Sequence, residues 1–179
     1  MKKWISFLRG INVGGHAKLG MADLRNIFET LGMKDVQTYI QSGNVLFTAG
    51  TAKTGKALSL EIEKALVKKM GIEIAVITLG AEEVKQLLDE NPLLKEPGTN
   101  ADHIHLALFQ SAPDPVKTLF PDPAWYAPDR FILHRNAAYV HCPNGYGKTK
   151  LTNVFFEKKT GMPATSRSLR TMYKIAELM

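Results

Sequence analysis

An α+β protein made of two similar halves is what the sequence predicts. Three observations carry that reading. Apolar residues switch between strand and helix spacing, several helical runs end at a glycine, and the same order of elements returns after a Pro-Gly linker. Each element follows in turn.

Trp4–Ile11 is a β-prone run closed by Asn12-Val-Gly-Gly. Met21, Leu24, Ile27, Phe28 and Leu31 then recur at helical spacing, with Gly32 as the stop. Val36–Ile40 and Val45–Thr48 flank Ser42-Gly-Asn, a hairpin signal. Leu58, Ile62, Ala65, Leu66 and Met70 mark a second helix ended by Gly71, and Ile72–Leu79 is the last strand of the half. The order β-α-β-β-α-β is the ferredoxin-like, split-βαβ pattern.

A helix at Ala81–Glu90 is stopped by Asn91-Pro92, and Leu93–Asp102 reads as a linker. The order then repeats: strand His103–Phe109, short helix Pro115–Phe120, and a hairpin of Arg130–Arg135 with Ala138–Cys142. Helix Leu151–Lys159 stops at Gly161, strand Ala164–Arg170 follows, and Met172–Met179 forms a C-terminal helix. The expected division is residues 1–80 for the first half, 81–102 for helix and linker, and 103–179 for the second. No residue-level repeat accompanies the repeated order.

At 179 residues the chain is long enough to bury a substantial core. One cysteine excludes an internal disulfide and fits a reducing cytoplasm. Arg9 interrupts the N-terminal apolar run too early for a signal peptide, and no apolar segment reaches membrane-spanning length. The formal charge of +6 is unevenly placed. Residues 1–129 carry 14 Lys/Arg against 15 Asp/Glu, whereas residues 130–179 carry 9 against 2. Such asymmetry favours an acidic partner for the C-terminal part, or simply a solvated basic surface.

That basic part contains the stretch with most chemistry, Cys142-Pro-Asn-Gly-Tyr-Gly-Lys-Thr-Lys150, between a strand and a helix. Gly147-Lys148-Thr149 matches the second half of the P-loop pattern, but Cys142 stands where its first glycine belongs. A looser anion cradle needs only backbone amides, here from Gly145, Tyr146, Gly147, Lys148 and Thr149, with the ammonium of Lys148 or Lys150 nearby. The alternative is a plain turn whose glycines meet a backbone requirement. Arg9, Asn12, Gly14 and Gly15 form a second candidate loop, without the spacing of a dinucleotide fingerprint. Arg167 is a third candidate, as a phosphate or carboxylate fork.

His103 and His105 share one strand face, but no third ligand at telling spacing follows them. His141 and Cys142 are adjacent and so point to opposite faces of a strand. No catalytic set, cofactor motif or metal motif emerges. Ser42–Ala49 does not match the RNA-platform signature, so nucleic-acid binding rests on the basic C-terminal part alone.

Four stretches together add a resemblance. Leu8-Arg-Gly-Ile-Asn-Val-Gly-Gly, Tyr39-Ile-Gln-Ser-Gly-Asn-Val, His141-Cys-Pro-Asn-Gly-Tyr-Gly-Lys-Thr-Lys-Leu-Thr-Asn and Pro163-Ala-Thr-Ser-Arg resemble the bacterial family catalogued as domain of unknown function 1697. The resemblance implies a small α+β protein with ferredoxin-like elements and implies no activity. The chain departs from the family at Arg167-Ser-Leu169, where Arg-Asn-Trp is common. The functional expectation is therefore a cytoplasmic protein binding a phosphate-bearing or other anionic ligand at the Gly145–Lys150 loop. The alternatives are sequence-tolerant nucleic-acid binding and an enzyme acting on a phosphorylated substrate.

Overall fold

Two four-stranded antiparallel sheets and five α-helices make up the computed structural model, which describes residues 1–12, 18–114 and 118–179. The chain divides into two compact units, Met1–Val84 with Ile175–Met179, and Lys85–Lys174.

In the first unit the elements are β1 (Lys2–Leu8), α1 (Met21–Thr30), β2 (Lys34–Tyr39), β3 (Asn44–Ala49), α2 (Gly55–Met70) and β4 (Val76–Gly80). The sheet order is β2-β3-β1-β4, with β1 antiparallel to both neighbours. Alternation along β1 sends Trp4 and Leu8 into a core with Val45 and Phe47 of β3. Leu24, Ile27 and Phe28 of α1 and Leu58, Ile62 and Leu66 of α2 close that core. Phe28 meets Phe47 edge-on at 5.2 Å. Each such side chain contributes about 1.5–3 kcal/mol by leaving water. Ser6 and Thr78 are register partners on β1 and β4, and their buried hydroxyls bond each other at 2.7 Å. That pairing avoids the penalty of an unsatisfied buried hydroxyl.

Helix α3 (Ala81–Asp89) follows β4 directly. The second unit then holds β5 (Ile104–Phe109), β6 (Arg130–His134), β7 (Ala137–His141), α4 (Asn153–Thr160) and β8 (Ala164–Ser168), continued by α5 (Leu169–Leu178). Its sheet order, β6-β7-β5-β8, repeats that of the first. Ala107 and Phe109 of β5, Ala138 and Val140 of β7, and Phe155 and Phe156 of α4 form the core, with Phe120 and Phe131 packed on it. The Tyr139 hydroxyl donates to the Leu87 carbonyl at 2.7 Å, fastening α3 to β7. Residues 85–102 accordingly belong to the second unit, and the chain's last five residues to the first.

Several boundaries differ from expectation. Strand β1 ends at Leu8 because the chain turns at Gly10 and Asn12, both at positive φ, although Ile11 is still fully buried. Strand β4 begins at Val76 rather than Ile72. Strand β8 stops at Ser168, whose hydroxyl accepts from the Thr171 N–H at 3.2 Å and so caps α5. The short helix expected at Pro115–Phe120 falls partly outside the described residues, and Thr118–Phe120 have no regular secondary structure.

Two predictions follow from these contacts. Gly55 opens α2 so close to β4 that a Cβ there would lie 2.2 Å from the Thr78 carbonyl oxygen. In an open helix Gly→Ala stabilises by roughly 1 kcal/mol. Here a backbone atom must move, so Gly55→Ala is expected to destabilise by about 1–3 kcal/mol in urea unfolding; a more stable variant would refute the close approach. The second concerns Glu90, just beyond α3. It accepts from Arg135 at 2.6 and 2.9 Å and contacts His134 at 2.7 Å. The Arg135 hydrogen bonds, then His134, hold its carboxyl down from 4.5 to about 2. The folded value lies below the unfolded one, so this contribution is complete above pH 4.5 and lost as pH falls towards 2. A carboxyl-detected NMR titration should place Glu90 near the bottom of that range and move it upward in Arg135→Gln.

Candidate functional site

Beyond β7 the chain builds its glycine-lysine loop from short-range hydrogen bonds. The Gly145 N–H donates to the Cys142 carbonyl at 2.9 Å, with Gly145 at φ +90°, a conformation suited to glycine. A single 3₁₀ turn, Tyr146–Lys148, follows. In it the Lys148 N–H donates to the Gly145 carbonyl at 3.1 Å and the Thr149 N–H to that of Tyr146 at 3.3 Å. The Leu151 N–H donates to the Thr149 hydroxyl at 3.0 Å, and the Thr152 hydroxyl caps α4 by accepting from Phe155 at 3.2 Å.

This geometry occupies three of the five amides of the expected backbone cradle. The amides of Gly145, Lys148 and Thr149 are engaged inside the turn, and the first turn of α4 has its own cap. Tyr146 does not face outward either: its ring stacks on His105 at 4.3 Å, and burial raises its hydroxyl pKa. Thr149 is buried. The charged groups that the loop offers to solvent are the ammonium groups of Lys148 and Lys150.

Both lysines line a cleft of about 250 Å³ with Asn144 and the Tyr126–Asp129 segment. Lys150 Nζ donates to the Trp125 carbonyl at 2.6 Å and lies 5.0 Å from the centre of the Trp125 ring. Trp125 stacks on Phe155 at 5.7 Å, an anchor that fixes the ring plane, yet remains 47% exposed. Neither the Tyr126–Asp129 wall nor Trp125 beside Lys150 figures among the sequence expectations. Their signal was an aromatic pair set among prolines, Pro121-Asp-Pro-Ala-Trp-Tyr-Ala-Pro128.

Arg167 lies on β8 opposite Leu106 and is buried, with Nη1 donating to the Thr165 hydroxyl and the Ser166 carbonyl, each at 2.8 Å. Burial pushes its pKa down to about 10. The fork expected at Arg167 is thus a buried guanidinium, with Nη1 engaged within its own strand.

Arg9 and Asn12 belong to the first unit, and Gly14 and Gly15 lie outside the described residues. Asn12 sits at φ +55° with its side-chain amide turned inward. Nδ2 donates to the Leu19 and Gln41 carbonyls at 3.0 Å each, and Oδ1 accepts from the Leu19 N–H at 2.9 Å. These bonds hold the chain on both sides of the loop, and Asn12 also lines a cleft. That cleft, of about 460 Å³, has one lysine, Lys18, among its described lining residues.

Burial lowers the pKa of both His105 and His141. Among the described residues no group of three or more His, Cys, Asp or Glu side chains is placed to hold a metal ion. None of the described helices is long and apolar enough to cross a membrane.

The paired antiparallel sheets and their helices define an α+β protein of a recurrent architecture. A solved structure, that of the conserved bacterial protein SP0830 from Streptococcus pneumoniae, is similar to the chain with a TM-score of 0.67. The similarity covers 98% of this chain and 97% of that one at 19% identity, a likeness of fold. The family described as protein of unknown function (DUF1697) matches residues 1–139, and the chain belongs to that family. No curated protein matches it. The Gly145–Lys150 loop lies beyond the matched residues.

Cys142 yields a prediction. Burial pushes its thiol up to about 11, against a smaller opposing hydrogen bond to Thr149. The thiolate is the reactive form. The native protein at pH 8 is expected to resist iodoacetamide and to react at once when unfolded in urea; comparable rates in both states would contradict the burial.

Proposed function

We propose that the protein binds a phosphate-bearing or otherwise anionic small ligand in the cleft between the Gly145–Lys150 loop and the Tyr126–Asp129 segment. The supporting observation is the convergence of two exposed ammonium groups, Lys148 and Lys150, on one concavity. Among the described residues no carboxylate forms an ion pair with either lysine. Asp129 lines the same cleft. Its carboxylate favours a ligand that carries hydroxyl or amino donors beside its anionic group, such as a sugar phosphate.

The repeated strand orders support reading both units as ferredoxin-like, with the split-βαβ order complete in the first. A cytoplasmic location in a bacterium is the accompanying proposal, resting on the single buried cysteine and the bacterial neighbour of the fold. The second reading is sequence-tolerant nucleic-acid binding, favoured by the exposed Trp125 beside the basic loop. Its salt dependence would be steep, since each neutralised phosphate releases counterions. An enzyme acting on a phosphorylated substrate would need a nucleophile or general base, and neither the loop nor the cleft supplies a pair in those roles.

Lys148→Ala tests the leading reading. Lys148 is exposed and its side chain supports nothing in the core, so the variant should fold with an unchanged midpoint. Saturating ribose 5-phosphate at 100 times its dissociation constant adds about 2.7 kcal/mol. That should raise the wild-type midpoint by roughly 5–11 °C. The shift should shrink or vanish in Lys148→Ala. An equal shift in both proteins would move the ligand elsewhere, and no shift with any phosphate ester would remove the proposal.

A further inference from the structure

We infer that the group this cleft recognises is a nucleoside phosphate unit, with the phosphate on Lys148 and Lys150 and the base on Trp125; the inference rests on the anion-binding reading above. Trp125 is the starting observation. It is a large aromatic held in place by stacking on Phe155, yet nearly half its surface is open. Exposed, rigid aromatic faces beside cations are how proteins take up nucleobases, because every base has a π-face.

Lys150 joins the two parts of the site. Its ammonium lines the cleft, donates to the Trp125 carbonyl and stands over the Trp125 ring. An arriving phosphate would draw that ammonium from the ring towards the cleft, opening ring surface to the base as it does so. A bare sugar phosphate has nothing to place on Trp125. The cleft volume and its Asp129 carboxylate also limit the ligand. About 250 Å³ holds a sugar and one phosphate, and a fixed carboxylate repels the extra charge of a triphosphate while accepting from a ribose hydroxyl. The unit can come from a free mononucleotide or from a single strand. The latter would also use the nine basic residues against two acidic ones in residues 130–179.

The experiment uses the full chain and its own fluorescence. Of its two tryptophans Trp4 is 2% exposed and Trp125 47%, so acrylamide quenching reads chiefly Trp125. Adenosine monophosphate is expected to protect the indole and to bind about tenfold more tightly than ribose 5-phosphate. Trp125→Leu, which keeps apolar cover on Phe155, should abolish the preference, so that by calorimetry the variant binds adenosine monophosphate no more tightly than it binds ribose 5-phosphate. Should that variant not fold, the affinity ratio on the native protein decides alone, by calorimetry. A ratio near one overturns the nucleoside inference while the anion site stands. Failure of both compounds to bind overturns both. A short oligothymidylate that binds more tightly than the mononucleotide, with a steeper salt slope, assigns the unit to a strand; the reverse order assigns it to a free nucleotide.

Discussion

Strands β1 and β5 each pair antiparallel on both sides, and beyond Lys3 almost every side chain along them is buried. A one-residue slip of either would turn its whole apolar set to the opposite face and break two ladders together. This constraint fixes where β3, β4, β7 and β8 begin and end, and through them where each connecting loop leaves its sheet. In the second unit the loop after β7 emerges beside β5, which is why Tyr146 can stack on His105. The Lys148 and Lys150 stems are thus carried by a turn seated on a double-sided core. That is the support a binding loop needs if it is to keep its geometry without a ligand.

The short-range bonds within the loop work to the same end. A loop whose amides were all directed outward would be a stronger anion cradle but a less determined structure. Here three amides close turns and a threonine caps the next helix, which leaves the exposed lysine side chains as the charged donors. Side-chain ammonium groups are mobile point charges, suited to a ligand that must be admitted and released. A closed nest of amides would grip more firmly and reorganise less.

Much of this was legible in the residues, and the exceptions have physical causes. The helix stops at Gly71 and Gly161 and the hairpin at Gly43 follow from backbone geometry, which is local and therefore readable. The ends of β1 and β4 were misjudged because Ile11 and Ile74 are buried without belonging to a ladder; burial and strand pairing leave the same apolar signature. At β8 the capping hydroxyl of Ser168 outweighed the strand-like alternation of its neighbours. Arg167 is expected as a phosphate or carboxylate fork from its chemistry alone, which says nothing of burial. Its enclosure depends on which sheet face is covered, a tertiary fact with no local mark. Trp125 and Asp129 were missed for a similar reason: Trp125 meets Lys150, and Asp129 shares a cleft with both lysines, across roughly twenty residues of sequence that no spacing rule joins.

The position of Cys142 has a practical side. The chain's one thiol is sealed between the end of β7 and the loop, ionised only far above neutral pH. A cysteine introduced at any exposed position would then be the single accessible thiol of the folded protein. Spin labels, fluorophores or cross-linkers could be attached there without first deleting the native residue. The Gly145–Lys150 loop would keep its natural foundation while its movements were followed.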